Sequence, residues 1–221
     1  LKDKNKALDL AYKSSFLLGS ELNSININVN FSPVCDLLFP GAHSIIGSRA
    51  FHSNPLIVYE LSKAFCSGLK DSGVYPVLKH FPGHGRSKFD THLNKSVVSS
   101  SYKDLFENDL VPFKLLKNES MVMLAHIIYK SIDDKVATFS EKIIKEILRK
   151  KFLFKGIVLS DDLSMKALNG SLISKVKKAY SGGCDVILYC HGLLKEMIEI
   201  YSHIKKIKES RYNYFISELP Q

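Results

Sequence analysis

With 221 residues, 45% hydrophobic and 24% charged, the chain has an ordinary globular composition and enough length to bury a core without disulfides or a structural metal. No apolar run approaches the ~20 residues of a membrane-spanning helix, so no membrane partner is expected. The formal charge of +9 raises a nucleic-acid partner, but the lysines are scattered along the whole chain, often as single residues, so a solvated basic surface is expected and no nucleic acid.

Cys35, Cys66, Cys184 and Cys190 form no CxxC pair and no zinc-ligand spacing. They read as free thiols in a reducing cytoplasm.

In chain order, apolar residues at helical spacing predict a helix over 6–22. Alternation over 25–34, with Ile25, Ile27, Val29 and Phe31 on one face, predicts a strand. Asn54 is placed to cap a helix over 55–72 that has Pro55 at its first position and Gly73 as its stop. Four further strands are expected at 75–81, 121–126, 156–160 and 184–190, separated by helices that include 140–151 and 193–207. Ser140 is a reasonable helix start. The alternation of strands and helices signals an α/β architecture with parallel strands. No repeat, low-complexity tract or linker interrupts it, so residues 1–221 are read as a single domain.

Polar residues fall at the ends of these strands. Asp36 follows the first, Lys79 and His80 end the second, His126 ends the third, and Asp161 and Asp162 end the fourth. That placement is characteristic of an active site in a parallel α/β fold, barrel or open sheet.

Two segments carry the most chemistry. Residues 79–85, KHFPGHG, lead through Arg86 to Asp90-Thr91-His92. Asp90 and His92 are two apart, so an extended loop turns both to one side, and a carboxylate beside an imidazole suits general acid/base work near neutral pH. The second segment, residues 156–165, is a buried strand that ends in two acids. Alternation points one of them at the sheet's inner face, where a carboxylate can attack an electrophilic carbon, and leaves Asp162 to cap the next helix. The surrounding residues form no recognisable metal pattern, so no metal and no cofactor are expected.

The run KHFPGHG, the downstream Asp-Thr-His and the Ser-Asp-Asp-Leu-Ser-Met of 160–165 together resemble the β-N-acetylhexosaminidases of glycoside hydrolase family 3, the type active in bacterial cell-wall recycling. NFSPVCD (30–36), IIGSRAF (45–51), DLVPFKLL (109–116), MLAHIIY (123–129), ATFS (137–140) and GGCDVIL (182–188) support the resemblance in order along nearly the whole chain.

The resemblance implies a TIM-type (β/α)8 barrel with its site at the C-terminal strand ends. It implies Asp161 as the nucleophile, His92 as the acid/base, Asp90 as its orienting partner, and Arg49, Lys79 and His80 as the grip on the terminal sugar. His126 and Asp36 are held as secondary candidates, explained equally well by shaping the pocket or by an Asp36–Arg49 pair. Only the last five of the eight barrel strands are found. An N-terminally truncated sequence lacking roughly a hundred residues is therefore expected.

The implied reaction is retaining hydrolysis that releases β-linked N-acetylglucosamine from muropeptide fragments, by a monomeric cytoplasmic enzyme. Phosphorolysis and a non-catalytic sugar-binding remnant stay open as alternatives. Arg86-Ser87-Lys88-Phe89 departs from the family, where many members carry a more acidic loop of small residues.

Overall fold

The computed structural model describes residues 3–41, 44–87 and 96–217. Helix α1 (Lys4–Ser24) takes its N-cap from Asp3, whose side chain accepts from the Lys6 backbone N–H. Strand β1 is only Val29–Asn30, shorter than the alternation of 25–34 predicts. Ile25 is the helix C-cap, Asn26 takes a left-handed φ of 61°, and the Ile27 N–H returns to the Leu22 carbonyl. Capping therefore consumes the first residues of the expected strand.

Helix α2 (Pro55–Asp71) follows as expected, with the Asn54 side chain accepting from the Leu56 and Ile57 N–H groups. Gly73, at φ 82°, supplies the left-handed residue just after it. β2 (Tyr75–Pro76) runs through Val77 into β3 (Leu78–Phe81). β4 (Ser96–Val98) comes next, then a broken helical stretch of α3 (Tyr102–Asp104), a π-turn at Leu105–Asp109 and α4 (Val111–Leu115). Pro112 has no N–H to donate and contributes to that break.

The rest of the chain is β5 (Met121–Leu124), β6 (Ile127–Tyr129), a π-helix at Lys142–Lys151, β7 (Ile157–Asp162), α5 (Leu172–Gly182), β8 (Val186–Leu188), α6 (Leu194–Tyr201) and α7 (Glu209–Ser217). Ser140 does start the Lys142–Lys151 helix, its Oγ accepting from the Ile143 N–H at 3.1 Å. α6 stops at Tyr201, short of the expected 207.

All strand pairs are parallel, in the order β1–β2 and β3–β5–β7–β8, with β4 and β6 forming a separate pair that the sequence did not announce. A Val34–Lys79 bridge joins the first pair to the main sheet. The spatial order thus follows the chain order, with no reversal. Because β-crossover-β connections are right-handed, an unreversed order places every connecting helix on one face, and such a sheet curls toward a barrel.

Alternation sorts the strands' side chains onto two buried faces. Tyr75, Val77, Met121, Met123, Ile157 and Leu159 pack together as the inner layer. Leu78, Phe81, Val122, Leu124 and Val158 face outward against Phe113, Ile143, Ile147 and Phe152 of the helices. Burial on both faces is why these strands read as continuous apolar runs.

At the opposite end of the sheet Arg149 fixes the strand starts. Its guanidinium donates to the carbonyls of Phe154 and Gly156 and to Asp185, while Asp185 also accepts from the Val158 N–H. Among the described residues no helix is long and apolar enough to cross a membrane.

Candidate active site

The inner layer ends at the C-terminal strand ends in a cavity of about 310 Å³. Continuing the two-residue period from Val77 and from Ile157 and Leu159 carries the inner face to Lys79 and Asp161. Both line the cavity, with His80 and with Arg49 from a short 3-10 turn at Gly47–Arg49. Four of the six residues singled out in the sequence therefore converge from three separate segments. Asp90 and His92 lie outside the described residues.

Asp161 accepts a hydrogen bond from the Asp162 backbone N–H at 2.8 Å. Asp162 also borders the cavity, where strict alternation would have turned it away; the β7–β8 register shifts between Leu159 and Asp162. It does not cap the following helix, since Ser171 caps α5. Its carboxylate instead accepts from the N–H groups of Ser164 and Cys190, each at 3.0 Å, and from the Ser164 hydroxyl. Burial works against its charge, but these hydrogen bonds prevail and its pKa is lowered. Asp162 ties together the turn after β7 and the end of β8.

His126 sits beneath this turn, 1% exposed, with Nε2 3.0 Å from the Asp162 carbonyl and Nδ1 2.7 Å from Thr138 Oγ1. Burial lowers its pKa. A carbonyl only accepts, so Nε2 carries a proton, and the Thr138 hydroxyl sits between Nδ1 and the Ala125 carbonyl, 3.1 Å from the latter. His126 thus clamps the backbone just beyond Asp161 and lies outside the cavity wall.

Asp36 is fully buried and does not pair with Arg49. One carboxylate oxygen accepts from the N–H groups of His80 (3.1 Å) and His84 (2.6 Å), and the other meets His80 Nδ1 at 2.7 Å. Arg49 turns its Nε and Nη2 to the Ile45 carbonyl, at 3.0 and 2.6 Å. Burial opposes the Asp36 charge, yet the His80 and His84 contacts outweigh it and lower its pKa. For Lys79, burial and the neighbouring Arg49 lower the pKa, with Asp161 and Asp36 opposing.

His84 is a cavity residue that the strand-end pattern missed. It is 3% exposed, its ring meets that of His80 edge-on at 5.4 Å between centroids, and burial pushes its pKa down to about 4. The signal for it was its place inside KHFPGHG. Phe31, Ile45, Met123, Met165, Leu188 and Cys190 complete the wall and carried no such signal.

The two glycines of KHFPGHG have separate reasons. Gly83 has φ 131°, and a Cβ on Gly85 would lie 1.9 Å from the Leu37 carbonyl oxygen. The Gly83 carbonyl accepts from the buried Tyr129 hydroxyl at 2.7 Å. Next to this loop, Arg86 donates to Asp109 at 2.8 Å and lies over the Phe39 ring, 4.2 Å from its centroid.

This arrangement brings a carboxylate, an ammonium, a guanidinium and an imidazole to one small concave site. Several donors in one cavity suit a hydroxyl-rich ligand, and a carboxylate among them can act as nucleophile or charge stabiliser.

Comparison with known proteins gives the family of the chain. Residues 2–214 match the family model described as glycosyl hydrolase family 3 N terminal domain. A beta-hexosaminidase of Nitrosomonas eutropha is 39% identical over 197 residues, covering 86% of this chain and 56% of its own length. One from Hydrogenovibrio crunogenus is 39% identical over 193 residues, covering 86% and 54%. The chain thus spans about half the length of the curated relatives it matches.

Among solved structures, NagZ from Neisseria gonorrhoeae in complex with N-trifluoroacetyl-D-glucosamine superimposes with a TM-score of 0.89 at 32% identity, over 97% of this chain and 63% of that one. A family 3 beta-N-acetylglucosaminidase from Paenibacillus gives 0.84 at 28% identity, over 96% and 42%. The parallel, unreversed sheet is part of a TIM-barrel-like α/β fold. The chain belongs to the glycosyl hydrolase family 3 N-terminal domain family.

Proposed function

We propose that this protein is a retaining glycosidase that releases terminal β-linked N-acetylglucosamine, with muropeptide fragments of peptidoglycan recycling as its substrates. The observation that carries the reading is Asp161 at the inner C-terminal end of β7, in one cavity with Arg49, Lys79 and His80.

In this mechanism Arg49, Lys79 and His80 hold the hydroxyls of the terminal sugar. The Asp161 carboxylate attacks the anomeric carbon and the bond to the leaving oxygen breaks. His92, oriented by Asp90, gives its proton to that oxygen. Water then loses a proton to His92 and displaces Asp161, so two inversions retain configuration. Family likeness supports the roles of Asp90 and His92. The four free cysteines, three of them buried, fit a reducing cytoplasm, and we take the working form to be a monomer.

The test is release of chromophore from an aryl β-N-acetylglucosaminide by the full-length protein, with and without Asp161→Asn. Turnover should fall by on the order of a thousandfold or more in the variant, as expected when a nucleophile is removed. A folded but inactive parent, or an undiminished variant, would overturn the assignment.

A further inference from the structure

Asp36 is a fully buried carboxylate behind the cavity residues His80 and His84, and the proposed reaction gives it no part. It is held by three donors arranged in a fixed way. Oδ1 takes two backbone N–H groups, from His80 and His84, and Oδ2 meets His80 Nδ1 at 2.7 Å. A carboxylate can only accept, so the proton on that contact belongs to Nδ1. His80 lines the cavity, and Nε2 is the ring nitrogen left to face it.

The other groups around the ring do not supply this orientation. His84 meets His80 edge-on at 5.4 Å, Lys79 is its chain neighbour, and Arg49 and Asp161 line the same cavity. Lys79 and Arg49 offer donors only, and Asp161 is reserved for the anomeric carbon.

We propose that Asp36 is a positioning residue that locks the His80 proton on Nδ1, so that Nε2 faces the cavity as the hydrogen-bond acceptor for a sugar hydroxyl. The inference deepens the glycosidase reading and rests on it for the identity of the ligand. A sugar hydroxyl both accepts and donates. Lys79 and Arg49 serve its lone pairs, and His80 Nε2 takes its proton. Such a site distinguishes a hydroxyl from a group without a proton to give.

Asp36→Asn tests this sharply. The two backbone N–H groups select the amide oxygen for the Oδ1 position, because an NH2 there would face two donors. The NH2 then falls at the Oδ2 position and donates to His80 Nδ1. That forces the proton onto Nε2 and turns the cavity-facing nitrogen from acceptor to donor.

The measurement is a pH titration of the histidine ring nitrogens by 15N NMR in the full-length protein, without ligand. In the parent the neutral His80 ring should carry its proton on Nδ1 and leave Nε2 bare; in Asp36→Asn the two should exchange roles. The kcat/KM for the aryl glycoside should fall on the order of ten- to a hundredfold. A parent ring that loses its proton from Nδ1 overturns the proposal, as does an unchanged ring pattern or unchanged kcat/KM in the variant. If the variant fails to fold, the parent's ring pattern decides alone. A parent with the expected ring pattern and no glycosidase activity would instead sink the functional reading and leave the tautomer lock standing.

Discussion

Neighbouring acidic residues in this molecule do different work because their surroundings differ. Asp161 faces the cavity with one backbone donor, while Asp162 is tied by Ser164 and Cys190. Asp109 is a third case, 1% exposed, with burial pushing its pKa up to about 6 against the pull of Arg86. At neutral pH it is ionised and its 2.8 Å pair with Arg86 is intact. Removing the cation strands a buried charge, whereas removing the carboxylate leaves an arginine that is partly exposed. Arg86→Ala should therefore cost about 3 kcal/mol in chemical denaturation at pH 7, and Asp109→Asn clearly less. Equal losses would show that the pair is not asymmetric in this way. The sequence marked Arg86 only as a departure from its family. Its partner lies 23 residues away, and no local pattern announces a pair at that separation.

At the scale of elements, α1 and α2 meet through small residues. Ser15, Gly19, Gly68 and Ser72 sit at the crossing, and a Cβ on Gly68 would lie 2.3 Å from the Tyr12 carbonyl oxygen. Backbone cannot yield as a flexible side chain does. Gly68→Ala should force the helices apart and destabilise by about 2 kcal/mol, although alanine is the better helix former. A raised melting temperature in this variant would show that the two helices do not meet so closely.

The caps of α2 were legible because Asn54, Pro55 and Gly73 act through local backbone chemistry. β1 was overestimated for the opposite reason. Alternation in Ile25, Ile27, Val29 and Phe31 mimics a strand, but Ile25, Ile27 and Phe31 are exposed and the helix cap claims the first of them. The β4–β6 pair was missed because three residues are too few to carry a period.

For the molecule as a whole, two buried groups give opposite pH dependences. His84 has its folded pKa lowered to about 4 from an ordinary 6.5. The unfolded chain therefore binds the proton first, and stability is lost as pH falls from about 6.5 to 4. Asp109 has its folded pKa raised to about 6 from 3.8, so the folded state binds the proton first and stability is gained over about pH 6 to 4. The two effects largely cancel in that range. His84→Gln removes only the acid-labile one. Relative to the parent, the variant should gain about 2 kcal/mol on going from pH 7 to pH 5 in urea unfolding. A constant difference between the two proteins would show that His84 is not held neutral by burial.

What the sequence determined by itself is whatever local periodicity and chain order encode. Five apolar strands, their alternation with helices and the polar residues at their ends specify a parallel α/β fold and nominate Lys79, His80 and the Asp161–Asp162 pair. The family resemblance adds Arg49 and carries the proposal that these residues form a glycosidase site.

Tertiary structure decided which side chains answer to one another. Asp36 holds His80 and His84 across 44 and 48 residues and does not pair with Arg49, one of the two roles held open for it. His126 clamps the backbone beyond Asp161 from 36 residues away. Asp162 joins two strand ends where a helix cap was expected. Such pairings depend on strand register and on a sheet that brings distant ends together, and neither leaves a trace in the spacing of residues along the chain.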